Sequence, residues 1–264
     1  MFYNAKECML KIDDSYMDYI TFGKGSKPLI LIPGLSLRGV KGSSIMLAYM
    51  YRIFAKDFKV YCFDRKNNIP ASYNVENMAL DIAFAMKKLK LESASVFGVS
   101  QGGMIAQYLA VNHPELVSKL VLGVTLSHTN ETVKKVIADW VDIAERQRFR
   151  DIAKDMFKNM YSKKYVKKYK WLFSVLSVFV KQKDTERFII MAKACLTCNI
   201  YDRLDEIKCP VLVLGGSMDN IVSGYASEEI ADKLKCSIYM YKNLGHSAYE
   251  EAKDFNKRVY DFIA

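Results

Sequence analysis

The 264-residue sequence contains no uncharged apolar stretch long enough to span a lipid bilayer. Its longest candidate, Trp171 to Val180, is too short, because a transmembrane helix needs about 18 apolar residues or more. The first residues also lack the basic segment and the apolar core that mark a secretory signal. We therefore expect a cytoplasmic protein that has no signal peptide and does not insert stably into membranes.

Cysteine is sparse for a disulfide-stapled protein, since six cysteines are spread over the whole chain. Cys195 and Cys198 have the C-x-x-C spacing of metal and redox sites, but no second ligand pair is spaced to complete a zinc site. The pair also falls within a predicted helix over 187–199, whereas a redox pair of this kind lies at a strand-to-helix junction. We expect both thiols to be buried in the core.

Positive charge dominates: the chain has 39 Lys and Arg and 29 Asp and Glu, which gives a formal net charge of +10. Much of the excess lies in the basic stretch 154–183, where lysines alternate with tyrosines and Trp171. A solvated helical face, a nucleic-acid groove, a membrane-facing surface and attraction of an anionic substrate are all compatible with this pattern. We favour the solvated face, and we expect a small-molecule substrate and no nucleic-acid partner.

Short, continuous apolar runs recur along the chain and end at turn residues, as is typical of strands buried on both faces of a sheet. They predict strands over 28–33, 58–63, 94–97, 119–124, 211–214 and 237–241, after an antiparallel hairpin over 7–12 and 15–22. Amphipathic periods predict helices over 43–55, 75–89, 101–111, 226–234 and 250–263. The alternation predicts an α/β fold, in which a mostly parallel sheet has helices on both faces.

The alternation stops between residues 126 and 205. This segment lacks strand-like runs, and its Lys, Met, Tyr and Phe residues recur at helical spacing. We interpret it as a helical cap, over residues 126–205, inserted into an α/β core that comprises residues 1–125 and 206–264. Several of its aromatic residues are candidates for the wall of an apolar chamber, although such residues more often pack a cap against a core. They are Phe149, Phe157, Tyr161, Trp171, Phe173 and Phe179.

The strongest local signal is Gly98-Val99-Ser100-Gln101-Gly102-Gly103. It follows the predicted strand 94–97 and opens a helix, which is the context in which a G-x-S-x-G motif carries a nucleophile. The residues two before and two after the serine approach each other in such a turn, and glycine at both positions removes the clashing Cβ atoms. The helix N-terminus favours negative charge that develops there. Ser100 is therefore the predicted nucleophile.

A serine hydroxyl needs a base, and the chain has only three histidines. His113 lies at the far end of the helix that follows Ser100, where capping or surface positions are usual. His128 follows a strand and is a candidate for the substrate pocket, with an ordinary loop position as the alternative. His246 lies between the last strand and the last helix, on the side where sheets of this kind bind ligands, and is the predicted base.

A serine nucleophile and its histidine base usually act with a third residue, a carboxylate that orients the imidazole and stabilises its charged form. Asp219 follows the strand 211–214 and precedes His246, which gives the chain order Ser, Asp, His. Asp202 and Asp205 come before that strand, at its wrong end. Asp219 is therefore the predicted partner of the base.

An oxyanion formed by attack of Ser100 requires hydrogen-bond donors that are already in place. The backbone N–H of Gln101 is one predicted donor, because it lies at the start of the helix. The backbone N–H of Leu35 is the other, in the loop after Pro33-Gly34, with Ser36 behind it.

By these residues the chain resembles the α/β-hydrolase superfamily, and in particular its lid-bearing branch of esterases, lactonases and C–C hydrolases. The resemblance covers nearly the whole chain outside the cap and rests on Gly98-Val99-Ser100-Gln101-Gly102-Gly103, Gly215-Gly216-Ser217-Met218-Asp219 and Gly245-His246. It implies a catalytic triad of Ser100, Asp219 and His246, with no metal and no organic cofactor.

Two motifs depart from the family pattern. Members often carry His-Gly at the oxyanion loop, where this chain has Pro33-Gly34. Members also often have a glycine-rich Asp-Arg motif after the fourth strand, and here the sequence from Asp64 to Pro70 contains no glycine. We expect the oxyanion loop to keep its turn, because Gly34 is retained, and the loop after Asp64 to differ in shape.

The predicted activity is hydrolysis of a carboxylic ester of a small or medium substrate through an acyl-enzyme on Ser100. Lactone, thioester or C–C bond hydrolysis and acyl transfer to an acceptor other than water remain open on the same triad. A low-turnover ligand-binding receptor is the alternative from another class, and the retention of all three residues argues against it. Trp171 and His128 are the candidate substrate-binding residues.

Overall fold

The computed structural model describes residues 2–176 and 184–264, and eight strands within them form one sheet. From β1 to β8 the strands are Lys6–Ile12, Ser15–Phe22, Lys27–Ile32, Phe58–Lys66, Ala94–Val99, Val117–Gly123, Val211–Gly216 and Ser237–Tyr241. Their order across the sheet is β1-β2-β4-β3-β5-β6-β7-β8. The β1–β2 and β2–β4 pairs are antiparallel and all later pairs are parallel, which confirms the predicted α/β fold with a mostly parallel sheet.

Ten α-helices lie within the described residues. From α1 to α10 they are Ser44–Met50, Val75–Lys88, Gln101–Asn112, Glu131–Glu145, Phe149–Met160, Lys163–Leu176, Thr185–Ala194, Gly224–Leu234, Ala248–Glu251 and Phe255–Ile263. Their starts follow local chemistry: Asn74 caps α2 by accepting from the Asn77 backbone N–H, and Asn130 caps α4 by accepting from that of Val133.

The sheet is buried on both faces because alternate strand residues point to opposite sides. On β3, Ile30 and Ile32 pack in a core with helices α2, α3 and α8, whereas Leu29 and Leu31 pack in a second core with α1 and α10. Every residue of β5 and of β7 is buried. This two-sided burial explains why the central strands have continuous rather than alternating apolar sequences.

Two predicted helices are broken in the structure. The period over 43–55 forms α1 only to Met50, and a 3₁₀ turn over Arg52–Phe54 then brings Phe54 into the core. The period over 250–263 is divided between α9 and α10, because Ala252 has an extended conformation (φ −80°, ψ 117°). That bend carries Phe255 into the core, where its ring stacks on Phe97.

Helices α4 to α7 fall between β6 and β7, in the segment that the sequence predicts to be a cap. Within its described part this segment contains no strand, only an isolated bridge between His128 and Asn199. The lysines of α6 in the basic stretch are exposed, as a solvated face requires. Phe179, Lys181 and Lys183 lie outside the described residues.

No helix in residues 2–176 or 184–264 combines the length and the apolar character that a membrane crossing requires.

Phe255 offers a direct test of the second core. Its side chain is fully buried and stacks on Phe97 and Tyr241 at centroid distances of 6.2 and 5.7 Å. We expect Phe255→Ala to lower the free energy of unfolding by about 3–5 kcal/mol through lost burial and a residual cavity, measured by urea denaturation. Tyr225→Ala is the control, because Tyr225 is 62% exposed; equal losses in the two variants would contradict this account.

Candidate active site

Ser100 occupies a sharp turn between β5 and α3. Its backbone has φ 54° and ψ −122°, a conformation that residues other than glycine rarely adopt. Two hydrogen bonds hold it there: the Ser100 N–H donates to the Gly123 carbonyl (2.8 Å), and the Thr125 hydroxyl donates to the Ser100 carbonyl (2.7 Å). The serine side chain is thereby raised above the carboxyl ends of the parallel strands.

Two glycines make room for this turn. A Cβ atom on Gly98 would lie 2.3 Å from the Gly102 carbonyl oxygen, and one on Gly102 would lie 1.9 Å from the Ile32 carbonyl oxygen. Both distances are far below van der Waals contact, so neither position can carry a side chain without movement of the backbone. The glycines at these two positions of the motif therefore have the packing role that the sequence predicts.

Ser100, His246 and Asp219 form one hydrogen-bonded chain. His246 Nε2 lies 2.9 Å from Ser100 Oγ, and His246 Nδ1 lies 2.8 Å from Asp219 Oδ2. The other Asp219 oxygen accepts the backbone N–H groups of Ile221 and Val222 at 2.8 and 3.0 Å. Because a carboxylate only accepts, Nδ1 is the donor to Asp219, and Nε2 is left to accept from the serine hydroxyl.

The base and its carboxylate partner are buried, whereas the serine is accessible to a substrate. The side chains of His246 and Asp219 are 3% and 2% exposed, whereas Ser100 is only partly buried. The two loops that carry Asp219 and His246 are tied together, since the Met218 N–H donates to the Leu244 carbonyl at 3.0 Å. A base in this position can withdraw the serine proton while the buried carboxylate stabilises the resulting imidazolium.

The loop after β3 lies directly against the serine. A Cβ atom on Gly34 would be 3.2 Å from Ser100 Cβ and 3.7 Å from its Oγ, and Leu35 lines the same cavity as Ser100. Gln101 is the first residue of α3. The two residues that were predicted to supply oxyanion donors are therefore both adjacent to Ser100, Leu35 on the loop after β3 and Gln101 at the start of α3.

The side chain of Gln101 is an anchor rather than a pocket surface. It is 1% exposed, its Oε1 accepts from Arg65 Nη2 at 2.9 Å, and its Nε2 donates to the Met191 carbonyl at 2.6 Å. Arg65 Nη2 also donates to the Pro33 carbonyl at 2.7 Å. These bonds join the start of α3, the end of β3 and helix α7, so they fix the backbone on both sides of Ser100.

The segment after Asp64, which contains no glycine as far as Pro70, is held by hydrogen bonds to β2. Strand β4 continues through Lys66, and the next residues are tied to β2: the Asn67 N–H donates to the Tyr16 carbonyl (2.7 Å) and the Asn68 N–H to Ser15 Oγ (2.9 Å). Residues 67–68 form a bend that these two hydrogen bonds tie to β2.

A cavity of about 30 Å³ opens beside Ser100 and His246. Its walls are mostly apolar, and a small chamber of this kind favours an uncharged, compact group next to the serine. Besides Ser100, His246 and the Gly34-Leu35 loop, the residues that line it are Met104, Val133, Ile137, Trp140, Met160, Cys195, Ile221, Val222 and Tyr249. Burial raises the pKa of the Cys195 thiol to about 11, so this thiol is protonated and does not compete with Ser100 as a nucleophile.

The other predicted pocket residues are elsewhere. His128 packs edge-on against Tyr201 (5.3 Å between centroids), 4.0 Å from Glu229, and does not line the Ser100 cavity. Trp171 is 67% exposed and does not line it either. His113 ends α3 beside Lys87 and Glu115, as a helix-end residue should. The structure therefore brings neither His128 nor Trp171 to Ser100.

The aromatic residues of the helical segment mostly contact one another rather than line a chamber. Phe157 stacks on Phe173 (4.3 Å between centroids), and Tyr161 stacks on Tyr165 (4.6 Å). The cavity wall comes instead from α4, through Val133, Ile137 and Trp140. Their i, i+4, i+7 spacing places them on one face of an amphipathic helix. This spacing is visible in the sequence and could have identified α4 as a wall of the cavity.

Cys195 and Cys198 are buried, which confirms the expectation for this pair; Cys62 is also buried, and Cys8, Cys209 and Cys236 are partly exposed. Residues 2–176 and 184–264 contain no group of three or more His, Cys, Asp or Glu side chains placed to hold a metal ion.

Thr125 tests the support of the turn. Because its hydroxyl is fully buried and donates to the Ser100 carbonyl, Thr125→Val leaves that carbonyl without its donor. We expect the free energy of unfolding to fall by about 1–3 kcal/mol, measured by urea denaturation, together with loss of activity. Thr132→Val, in the first turn of α4, is the matched control; wild-type stability in Thr125→Val would show that this bond does not support the turn.

Comparison with known proteins agrees with this architecture. A family model for the alpha/beta hydrolase fold matches residues 27–164, more than half of the chain. The 3-oxoadipate enol-lactonase 2 of Acinetobacter baylyi is 20% identical over 95% of this chain and 94% of its own. The enol-lactonase of Burkholderia xenovorans (21% identity) has a TM-score of 0.83 over 97% and 99% of the two chains. An alpha/beta hydrolase from a Medee basin deep-sea metagenome library (18% identity) has a TM-score of 0.85 over 97% and 96%.

The two structural matches show similarity of fold, whereas the family model matches the amino-acid sequence itself. Its match spans the strand before Gly34, the turn at Ser100 and the first helices of the segment between β6 and β7. The chain belongs to the alpha/beta hydrolase fold family.

Proposed function

We propose that this protein is a serine hydrolase that cleaves a carboxylic ester of a small or medium substrate through an acyl-enzyme on Ser100. The observation that carries the proposal is the continuous hydrogen-bonded chain from Ser100 through His246 to Asp219, with distances of 2.9 and 2.8 Å. Membership of the alpha/beta hydrolase fold family supports a hydrolytic reaction.

The first half of the reaction forms the acyl-enzyme. His246 Nε2 accepts the Ser100 proton as Ser100 Oγ bonds to the substrate carbonyl carbon, and Asp219 stabilises the imidazolium. The tetrahedral intermediate collapses when the C–O bond to the leaving group breaks, and the imidazolium gives its proton to that oxygen. In the second half, water attacks the acyl-enzyme with His246 as base, and Ser100 recovers its proton as the acid leaves.

The backbone N–H groups of Leu35 and Gln101 are the proposed oxyanion donors. Their support is positional, because the Leu35 loop lies against Ser100 and Gln101 is the first residue of a helix whose N-terminus favours negative charge. Removal of one such donor costs about 3–4 kcal/mol of transition-state stabilisation in known enzymes. The side-chain bonds of Gln101 to Arg65 and Met191 hold its backbone in place for this role.

The scissile bond of the proposed substrate is an open-chain ester or a lactone, which is a cyclic ester. Similarity over nearly the full length to proteins named as enol-lactonases favours the lactone as the second candidate. We further propose that residues 126–205 act as a cap, since Val133, Ile137 and Trp140 of α4 face the Ser100 cavity. The small volume of that cavity favours a compact group on one side of the bond.

The nucleophile is tested by labelling with a fluorophosphonate probe and by turnover of 4-nitrophenyl esters from acetate to decanoate. We expect wild type to be labelled, and Ser100→Ala to lose labelling and about 10⁴-fold in turnover, as other serine enzymes do. Ser237→Ala is the matched control, because Ser237 is exposed at the start of β8. Activity within tenfold of wild type in Ser100→Ala would disprove the assignment.

The carboxylate is tested by Asp219→Asn. The amide has nearly the same shape but no charge, and it can present a donor to Nδ1, which favours the wrong imidazole tautomer. We expect kcat for 4-nitrophenyl acetate to fall by about 10⁴-fold. Asp232→Asn, on the exposed side of α8, is the control. A loss below about tenfold in Asp219→Asn would assign the role to another carboxylate.

A further inference from the structure

A second cavity, of about 130 Å³, adjoins the Ser100 cavity. The two share Gly34 and Leu35, so the loop that flanks the serine forms a wall of both. Because about 10–15 Å³ of such free space already holds a water molecule, the second cavity can take a group of several atoms. A substrate whose ester lies at Ser100 can therefore extend past Leu35 into this space.

The second cavity is cationic. Three arginines and one carboxylate line it among the described residues: Arg38, Arg65, Arg187 and Asp64. Arg65 is 3% exposed and the side chain of Arg187 is 15% exposed, and Asp64 offsets only one of these two buried charges. The buried groups thus carry a net charge of +1, to which Arg38 at the cavity adds another. Low-dielectric walls strengthen the attraction of such charge for an anion.

Both buried guanidinium groups also have unused donors. Arg65 Nε and Arg187 Nε are buried, and neither has a hydrogen-bond partner among residues 2–176 and 184–264. Buried polar groups are nearly always hydrogen-bonded, so these two unpaired N–H groups leave both guanidinium charges incompletely satisfied within the described part of the protein, although neither Nε atom is itself exposed to the cavity. Burial lowers the pKa of Arg65, and the carboxylate of Asp64 opposes that effect; the guanidinium remains charged.

A purely structural role accounts for part of this cluster only. Arg187 Nη2 donates to the carbonyls of Arg65 and Lys66 at 3.0 and 3.3 Å and lies 3.6 Å from Asp64, which ties α7 to the end of β4. Arg65 Nη2 is likewise occupied by Pro33 and Gln101. Both roles use the Nη2 atoms, and they leave the excess positive charge and both Nε–H groups unexplained.

We propose that the second cavity is a carboxylate-binding subsite, formed by Arg65 and Arg187 with Arg38, and that the substrate is an ester or lactone that carries a carboxylate. The inference rests on the proposed esterase function and restricts its substrates to esters or lactones that carry a carboxylate. A monocarboxylate matches the net charge of the buried groups better than a phosphate dianion does. The apolar side chains of Val40, Met46, Leu47 and Met191 line the same cavity and suit the hydrocarbon next to the carboxylate.

The test compares esters that differ only in the carboxylate. Mono-4-nitrophenyl glutarate and 4-nitrophenyl pentanoate place the charge on the acyl side, whereas 3-acetoxybenzoate and phenyl acetate place it on the alcohol side. We expect kcat/KM to favour the anionic member of at least one pair by about tenfold or more, the value of one charge-assisted hydrogen bond. A selectivity ratio near one in both pairs would overturn the proposal.

Variants separate recognition from folding. In Arg187→Gln and in Arg38→Gln we expect the ratio of kcat/KM values to fall towards one, because a folding defect lowers both members of a pair equally and leaves the ratio unchanged. Arg146→Gln is the matched control: it removes the same charge from an exposed residue that lines neither cavity. A wild-type ratio in both Arg187→Gln and Arg38→Gln would refute the subsite.

Binding of glutarate distinguishes failure of this inference from failure of the proposed function. Thermal unfolding of wild type and Arg187→Gln is followed with and without glutarate, with 1-pentanol as the uncharged comparison. Stabilisation by glutarate that Arg187→Gln abolishes supports the subsite even if no ester is hydrolysed. Ester turnover without glutarate binding and without anion preference retains the hydrolase and removes the subsite.

Discussion

At Ser100 the chain passes from β5 to α3 through a backbone conformation that costs energy for any residue with a side chain. Its surroundings must supply that energy, and they do so from several parts of the sequence: Gly123 and Thr125 hold the backbone of the turn, and two glycines allow β3 and α3 to close around it. The position of the serine relative to His246 is therefore a property of the whole sheet. A local loop with the same sequence would not maintain it.

Two buried polar networks flank this turn and differ in how completely they are satisfied. On one side, both oxygens of Asp219 have partners within hydrogen-bond distance, so the carboxylate has a fixed direction. On the other side, Arg65 and Arg187 are only partly paired, and their cavity holds more positive than negative charge. A satisfied network is rigid, whereas the partly paired arginines are the groups that we propose to bind a substrate carboxylate. The first suits the reacting groups and the second suits recognition.

The sequence predicted the sheet well because strands buried on both faces leave an apolar run that ends at a turn residue. The placement of Ser100, Asp219 and His246 at strand ends followed from the same pattern, and they lie in one hydrogen-bonded chain; their catalytic roles stay predictions. The pocket was harder to predict. Trp140 lines it and Trp171 does not, and both are aromatic residues in amphipathic helices. Which helix faces the serine depends on packing between helices, which periodicity alone does not encode.

Arg65 was also out of reach of sequence reasoning, because a buried arginine has no periodic signature and its partners come from β3, α3 and the segment after β6. The split of the last predicted helix at Ala252 has the same origin, since a tertiary demand to bury Phe255 overrides local helical preference. In both cases the deciding contacts join residues that are distant in the chain.

The hydrogen bond between His246 and Ser100 joins residues that are 146 positions apart. Between them in the chain lie β6, β7, β8 and the helices from α3 to α8, so the contact forms only after the parallel strands that carry the two residues have joined the sheet. During synthesis a ribosome-bound chain that has completed the Ser100 turn still has no imidazole to pair with it. The serine of a nascent or partly unfolded molecule is therefore an ordinary alcohol, and the reactivity that we propose for it requires the last parallel strand to join the sheet.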